Sequence, residues 1–127
     1  MLVVDSSAVV EALTGRREAR QVVSSTTVFA PHLIDAEVTN AVRGLVLRRV
    51  VELGAADLMM RTWPRLGVVR FAMHPLVRRM WELRENLSAY DATYVALAEE
   101  LGCPLLTADA RLARAPGIRC DVTVLAA

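Results

Sequence analysis

Apolar residues occur along the chain in two rhythms. Short dense runs have the length and branched content of buried strands: LVV ahead of Asp5, TTVFA ahead of Pro31, GVVRFA from Gly67, CPLLT from Cys103 and CDVTVL from Cys120. Between them the apolar positions recur every three or four residues, the spacing of one helix face. SSAVVEALTG reads as a helix that stops at Gly15, and RREARQVVSS as a second. Leu33, Ala36, Val38, Ala41, Val42, Leu45 and Val46 mark a long third helix from His32 to about Val51. GAADLMMRTW gives a fourth, ending near Pro64, and PLVRRMWELRE a fifth, with Pro75 in its first turn. Ser88 opens a sixth that Gly102 closes, and ADARLARAPG supplies a short seventh. Strands alternating with helices predict an α/β sandwich around a mostly parallel sheet of four to five strands, joined by right-handed crossovers.

At 127 residues and 54% hydrophobic composition, with no internal repeat or linker, the chain is expected to fold as a single domain over residues 1–127. No apolar run reaches the roughly 18 residues of a membrane span. MLVVDSS has no basic segment of the kind that begins an export signal, so the expectation is a cytoplasmic protein with no membrane contact. Cys103 and Cys120 lack metal-type spacing and read as buried small hydrophobes.

Charge matters here by type. All 15 basic residues are arginine. Without lysine there is no P-loop, no Schiff-base amine and no receiver-type phosphorylation switch. A net charge of +1 argues against a strongly basic nucleic-acid clamp but leaves room for a local patch. Arg84 and the arginines around Arg78 are candidates for contact with a phosphate backbone, or simply a solvated helix face. Trp63 and Trp81 lack the spacing of a base-stacking platform and are expected in the core.

The candidate chemistry lies in four carboxylates. Asp5 follows the first strand, Asp109 the fourth; Asp91 falls in the first turn of the helix opened by Ser88, and Glu37 in the second turn of the long helix. Each has an ordinary role available, as a helix cap or a solvated side chain. Together they map to the carboxyl edge of the sheet, where parallel α/β folds bind ligands. If the first and fourth strands pair, Asp5 and Asp109 become neighbours across about 4.8 Å. Converging carboxylates repel one another unless a cation holds them, and with no histidine or thiolate among them Mg²⁺ or Mn²⁺ is the natural choice. Asp35 and Glu37, two positions apart on one helix, face different directions, and spacing alone does not say which aims at the rim.

DSSA after the first strand, EVTNAVR in the third helix, YDATYVALAE and LLTAD, in this order and spacing, resemble the PIN domain, and in particular the VapC-type toxins of bacterial toxin-antitoxin pairs. The resemblance covers essentially the whole chain. It implies a PIN-like α/β/α sandwich and a Mg²⁺- or Mn²⁺-dependent endoribonuclease, the toxin of a type II toxin-antitoxin system. Its metal-holding catalytic acids would be Asp5, Glu37, Asp91 and Asp109. Thr107 and Ser6 match supporting hydroxyls, and Asn40 is a further candidate of that kind. The resemblance also implies an RNA substrate, a cognate antitoxin lying across the acidic site, and a homodimer or a hetero-oligomer with the antitoxin. Leu45, Leu58 and Met59 could serve such interfaces or the core. The same residues are compatible with a nuclease of this fold acting on other nucleic acid, or with a non-catalytic binding module whose acids are only caps.

Overall fold

The computed structural model describes residues 1–126. Five strands, β1 (Leu2–Val4), β2 (Val28–Pro31), β3 (Val69–Phe71), β4 (Leu105–Thr107) and β5 (Val122–Val124), form one sheet in the order β3-β2-β1-β4-β5. Every pairing is parallel, so the sheet is wholly rather than mostly so. The first and fourth strands do pair, with Val3 opposite Leu105 and Val4 opposite Leu106. The helices are α1 (Ser6–Leu13), α2 (Arg17–Ser25), α3 (Leu33–Leu47), α4 (Leu53–Thr62), α5 (Val77–Glu82), α6 (Ala89–Leu101) and α7 (Ala110–Ala113). None is long and apolar enough to cross a membrane.

The centre of the molecule is α6, which is buried without interruption from Ala92 to Ala98 and packs against β1, β2 and β4. A helix enclosed on all sides explains why its apolar residues show no single-sided rhythm. Val3 and Val4 are both fully buried although they point to opposite faces, so β1 is covered on both sides of the sheet. Elsewhere α1 packs on α2 and α3, and α3 on α4.

Two boundaries differ from the sequence expectation. The long helix ends at Leu47 rather than near Val51, because Arg49 takes a positive φ of 60° and the Val50 N–H folds back to the Leu45 carbonyl. Val50 and Val51 continue the apolar rhythm, so periodicity gives no stop signal there. Pro75 sits in a short 3₁₀ turn, His74–Leu76, and α5 proper begins only at Val77.

All five strands point the same way, so the segments leaving β1, β2 and β4 emerge on one edge of the sheet. That edge carries the N-termini of α1, α3 and α7.

Candidate active site

Asp5 leaves β1 and at once caps α1: its carboxylate accepts from the Ala8 N–H at 3.0 Å. It also accepts a hydroxyl hydrogen from Ser7 at 2.6 Å and another from Thr107, the last residue of β4. Ser7 Oγ in turn accepts from the Ala108 N–H at 2.9 Å, and Thr107 Oγ1 from the Asp109 N–H at 3.0 Å. The turns after β1 and β4 are thereby stitched together around one carboxylate. Capping and convergence are here the same arrangement. Burial pushes the Asp5 carboxyl above its ordinary range, against the pull of these donors.

Glu37, half-buried in the second turn of α3, accepts from the Tyr94 hydroxyl of α6. Burial raises its carboxyl too, and repulsion from Asp91 and Asp5 adds to the rise. Asp91 stands at the third position of α6, its N–H donating to Ser88 Oγ at 3.2 Å, so the expected capping interaction forms. Its carboxyl is raised by burial and by the charge on Asp109. Asp109 caps α7, where the Arg111 guanidinium grips it with contacts of 3.2 and 3.1 Å and holds it below the ordinary carboxylate range. Asp91 and Asp109 line one shallow hollow of about 290 Å³ together with Ser88 and Arg111. The four acids are therefore linked by mutual repulsion, Asp5 and Glu37 each to Asp91 and to each other, and Asp91 to Asp109.

Asp35 lies outside this group. Its carboxylate takes two hydrogen bonds from Arg70 of β3, at 2.7 and 2.8 Å, and one from the Trp63 indole at 2.9 Å. The Arg70 guanidinium also lies over the Trp63 ring. This cluster ties the first turn of α3 to the edge strand β3 and leaves Glu37 as the residue of the pair that joins the other acids.

The supporting residues divide. Thr107 bonds to Asp5 as described. Ser6 lies beside the Tyr94 hydroxyl, whereas the hydroxyl on Asp5 is that of Ser7, which the sequence did not single out. The signal for Ser7 was available: a hydroxyl at the second position of a helix can turn back onto the capping acid. Asn40 is exposed one turn beyond Glu37 and shares a hollow with Ser6 and Ser7. Tyr94 carries no signal in the sequence for its bond to Glu37, since an aromatic ring in an apolar helix reads as core.

Trp63 is buried as expected, but Trp81 is 67% exposed, with the Arg84 guanidinium 4.7 Å above its ring. On the six-residue α5 it is the preceding residue, Met80, that turns inward, where its sulfur accepts from the Thr93 hydroxyl. Cys103 and Cys120 are free thiols. Met59 belongs to the core, Leu45 is partly buried, and Leu58 is exposed, as are Leu47, Val50 and Leu53 around the α3–α4 turn.

A cation can be tested against this donor set. Among the described residues no three acidic, histidine or cysteine side chains already stand as a coordinating cluster. The donors nevertheless have the right chemistry: they are all carboxylate oxygens, three of them driven up by burial, and the one guanidinium bonded to any of the four is that of Arg111. Such a set suits a hard divalent ion and offers nothing to a soft one.

The PIN domain family model matches residues 2–118. Ribonuclease VapC9 of Mycobacterium tuberculosis is 46% identical over 127 residues, covering 98% of both chains. Ribonuclease VapC1 of the same species is 41% identical, covering 97% of this chain and 96% of its own. Among solved structures, a toxin-antitoxin complex from Klebsiella pneumoniae superposes with a TM-score of 0.71 at 21% identity, covering 98% of this chain and 97% of its counterpart. PIN-domain ribonucleases generally depend on a divalent metal. The chain belongs to the PIN-domain family, and within it to the VapC-type ribonucleases.

Proposed function

We propose that this protein is an endoribonuclease, the toxin of a type II toxin-antitoxin pair, and that Asp5, Glu37, Asp91 and Asp109 hold Mg²⁺ or Mn²⁺ for hydrolysis of an RNA phosphodiester. Residues 1–127 act as one PIN domain working in the cytoplasm. The observation that carries the assignment of the site is the geometry at one sheet edge: Asp5 held between the ends of β1 and β4, Glu37 tied to α6 by Tyr94, and Asp91 and Asp109 lining one hollow. Capping accounts for Asp5 and Asp109 one at a time but not for Glu37 and Asp91 facing the same edge, and carboxylates brought together there repel one another without a cation.

A divalent ion bound there supplies the positive charge that activates a water and offsets the charge on the leaving oxygen. The chain's own residues set the stage for it. Ser7, Thr107 and the Ala8 N–H fix Asp5 in one orientation. Ser88 fixes where α6 begins, and so where Asp91 projects. Arg111 holds Asp109 in place, and its exposed guanidinium stands beside the acidic edge, where it would meet a phosphate of bound RNA.

The cognate antitoxin is the expected protein partner. A mostly apolar groove of about 660 Å³ between α2 and α4, lined by Leu13, Val23, Leu58 and Leu66, offers a face for an amphipathic segment. The exposed Leu47, Val50 and Leu53 offer another, for a second copy of the chain or for the antitoxin.

The test is expression with and without the neighbouring antitoxin gene, as wild type, Asp5→Asn and Asp91→Ala, with mapping of RNA ends. Growth arrest and new RNA ends should appear only for the wild type and vanish with the antitoxin. Arrest that persists in Asp91→Ala would sink the proposal. Cleavage of a single-stranded DNA at the rate of RNA would redirect it to another nucleic acid.

A further inference from the structure

Tyr94 is 1% exposed and lies three residues beyond Asp91 on α6, so the same helix face presents both. Its hydroxyl donates to Glu37 Oε1, spanning from α6 to α3, with Ser6 of α1 beside it. No other hydrogen bond to the Glu37 carboxylate forms among the described residues. A phenol has a single hydrogen to give, and a buried one must give it to a fixed acceptor. A glutamate in a helix otherwise has three freely rotating torsions, and its rotamer freedom is lost on binding a cation. A rigid aromatic donor, locked by the packing around α6, removes that freedom in advance.

We propose that Tyr94 is a positioning residue for the cation site. By holding one oxygen of Glu37 it aims the carboxylate at the acidic edge and leaves the second oxygen available to a divalent ion. It also ties the spacing of Glu37 to that of Asp91, because Tyr94 and Asp91 ride on one rigid helix. This role rests on Glu37 being one of the metal-holding acids.

The experiment measures Mn²⁺ binding calorimetrically on the RNA-free protein for the wild type and for Tyr94→Phe, Glu37→Gln, Asp5→Asn and the Tyr94→Phe/Glu37→Gln double variant. Thermal midpoints in EDTA and RNA cleavage kinetics accompany it. Tyr94→Phe should bind Mn²⁺ about 10- to 100-fold more weakly and lose kcat at limiting metal. Its KM for RNA should stay that of the wild type, and its midpoint in EDTA should fall by no more than the few degrees expected for one lost hydrogen bond. The double variant should bind no more weakly than Glu37→Gln alone, because the hydroxyl acts only through that carboxylate. Unchanged Mn²⁺ affinity in Tyr94→Phe beside a loss in Glu37→Gln would overturn the proposal, as would additive losses in the double variant. Unfolding of Tyr94→Phe in EDTA would overturn it too, by making the hydroxyl a structural requirement. If Asp5→Asn and Glu37→Gln themselves keep full Mn²⁺ binding and cleavage, it is the nuclease site that fails, separately from Tyr94.

Discussion

Asp35 and Glu37 stand two positions apart in one helix and are given opposite tasks by partners far away in sequence. Arg70, 35 residues on, claims Asp35, and Tyr94, 57 residues on, claims Glu37. The helix period says that the two diverge, but the direction of each is a tertiary fact, which is why the sequence alone leaves them undecided. Their substitutions should separate cleanly. Glu37→Gln should abolish cleavage and leave the thermal midpoint in EDTA close to wild type. Asp35→Ala should lower stability by about 1 kcal/mol, since the pair with Arg70 is partly solvated, while cleavage in excess metal persists; paired melting curves and cleavage assays check both. Thr107 is the opposite case, a single hydroxyl with two duties. Thr107→Val removes the donor to Asp5 and strands the Asp109 N–H, so it should reduce both stability, by about 1 to 3 kcal/mol, and activity, by about 10- to 100-fold.

At the level of elements, α6 is the part most completely legible beforehand, because its ends are written in local chemistry. Ser88 caps it through the Asp91 N–H, and Gly102 ends it in the left-handed region at φ +65°. A Cβ at Gly102 would meet nothing within 4 Å, so Gly102→Ala should cost only the backbone penalty, about 1 kcal/mol in denaturant unfolding. The end of α3 was not legible because the residue that turns the chain, Arg49, carries no such mark. Arg49→Gly should relieve its positive φ and raise stability by up to about 1 kcal/mol, measured the same way. Trp81 departs from the expectation of burial because indole size argues for the core, whereas the shortness of α5 decides which of its residues can turn inward.

For the molecule as a whole, the raised and lowered carboxyls make stability depend on pH in opposing ways. Asp5, Glu37 and Asp91 bind protons more tightly folded than unfolded. Their contribution to stability is present below the unfolded pKa and disappears as pH rises through the raised native values. Asp35, Glu99 and Asp109 are lowered, so their contribution is present above the unfolded pKa and is lost as pH falls through the native values. In EDTA, Asp5→Asn should therefore gain stability relative to wild type as pH rises from the carboxylate range to neutrality. Added Mg²⁺ should stabilise the wild type more at neutral than at mildly acidic pH, because protons compete for the same oxygens; thermal melts across pH with and without the ion test both. The strand order β3-β2-β1-β4-β5 has one more consequence. The chain lays down one flank of the sheet first and then returns past β1 to build the other, so Asp5 and Glu37 are translated well before Asp91 and Asp109. A nascent polypeptide on the ribosome carries only half of the acids until its final third emerges.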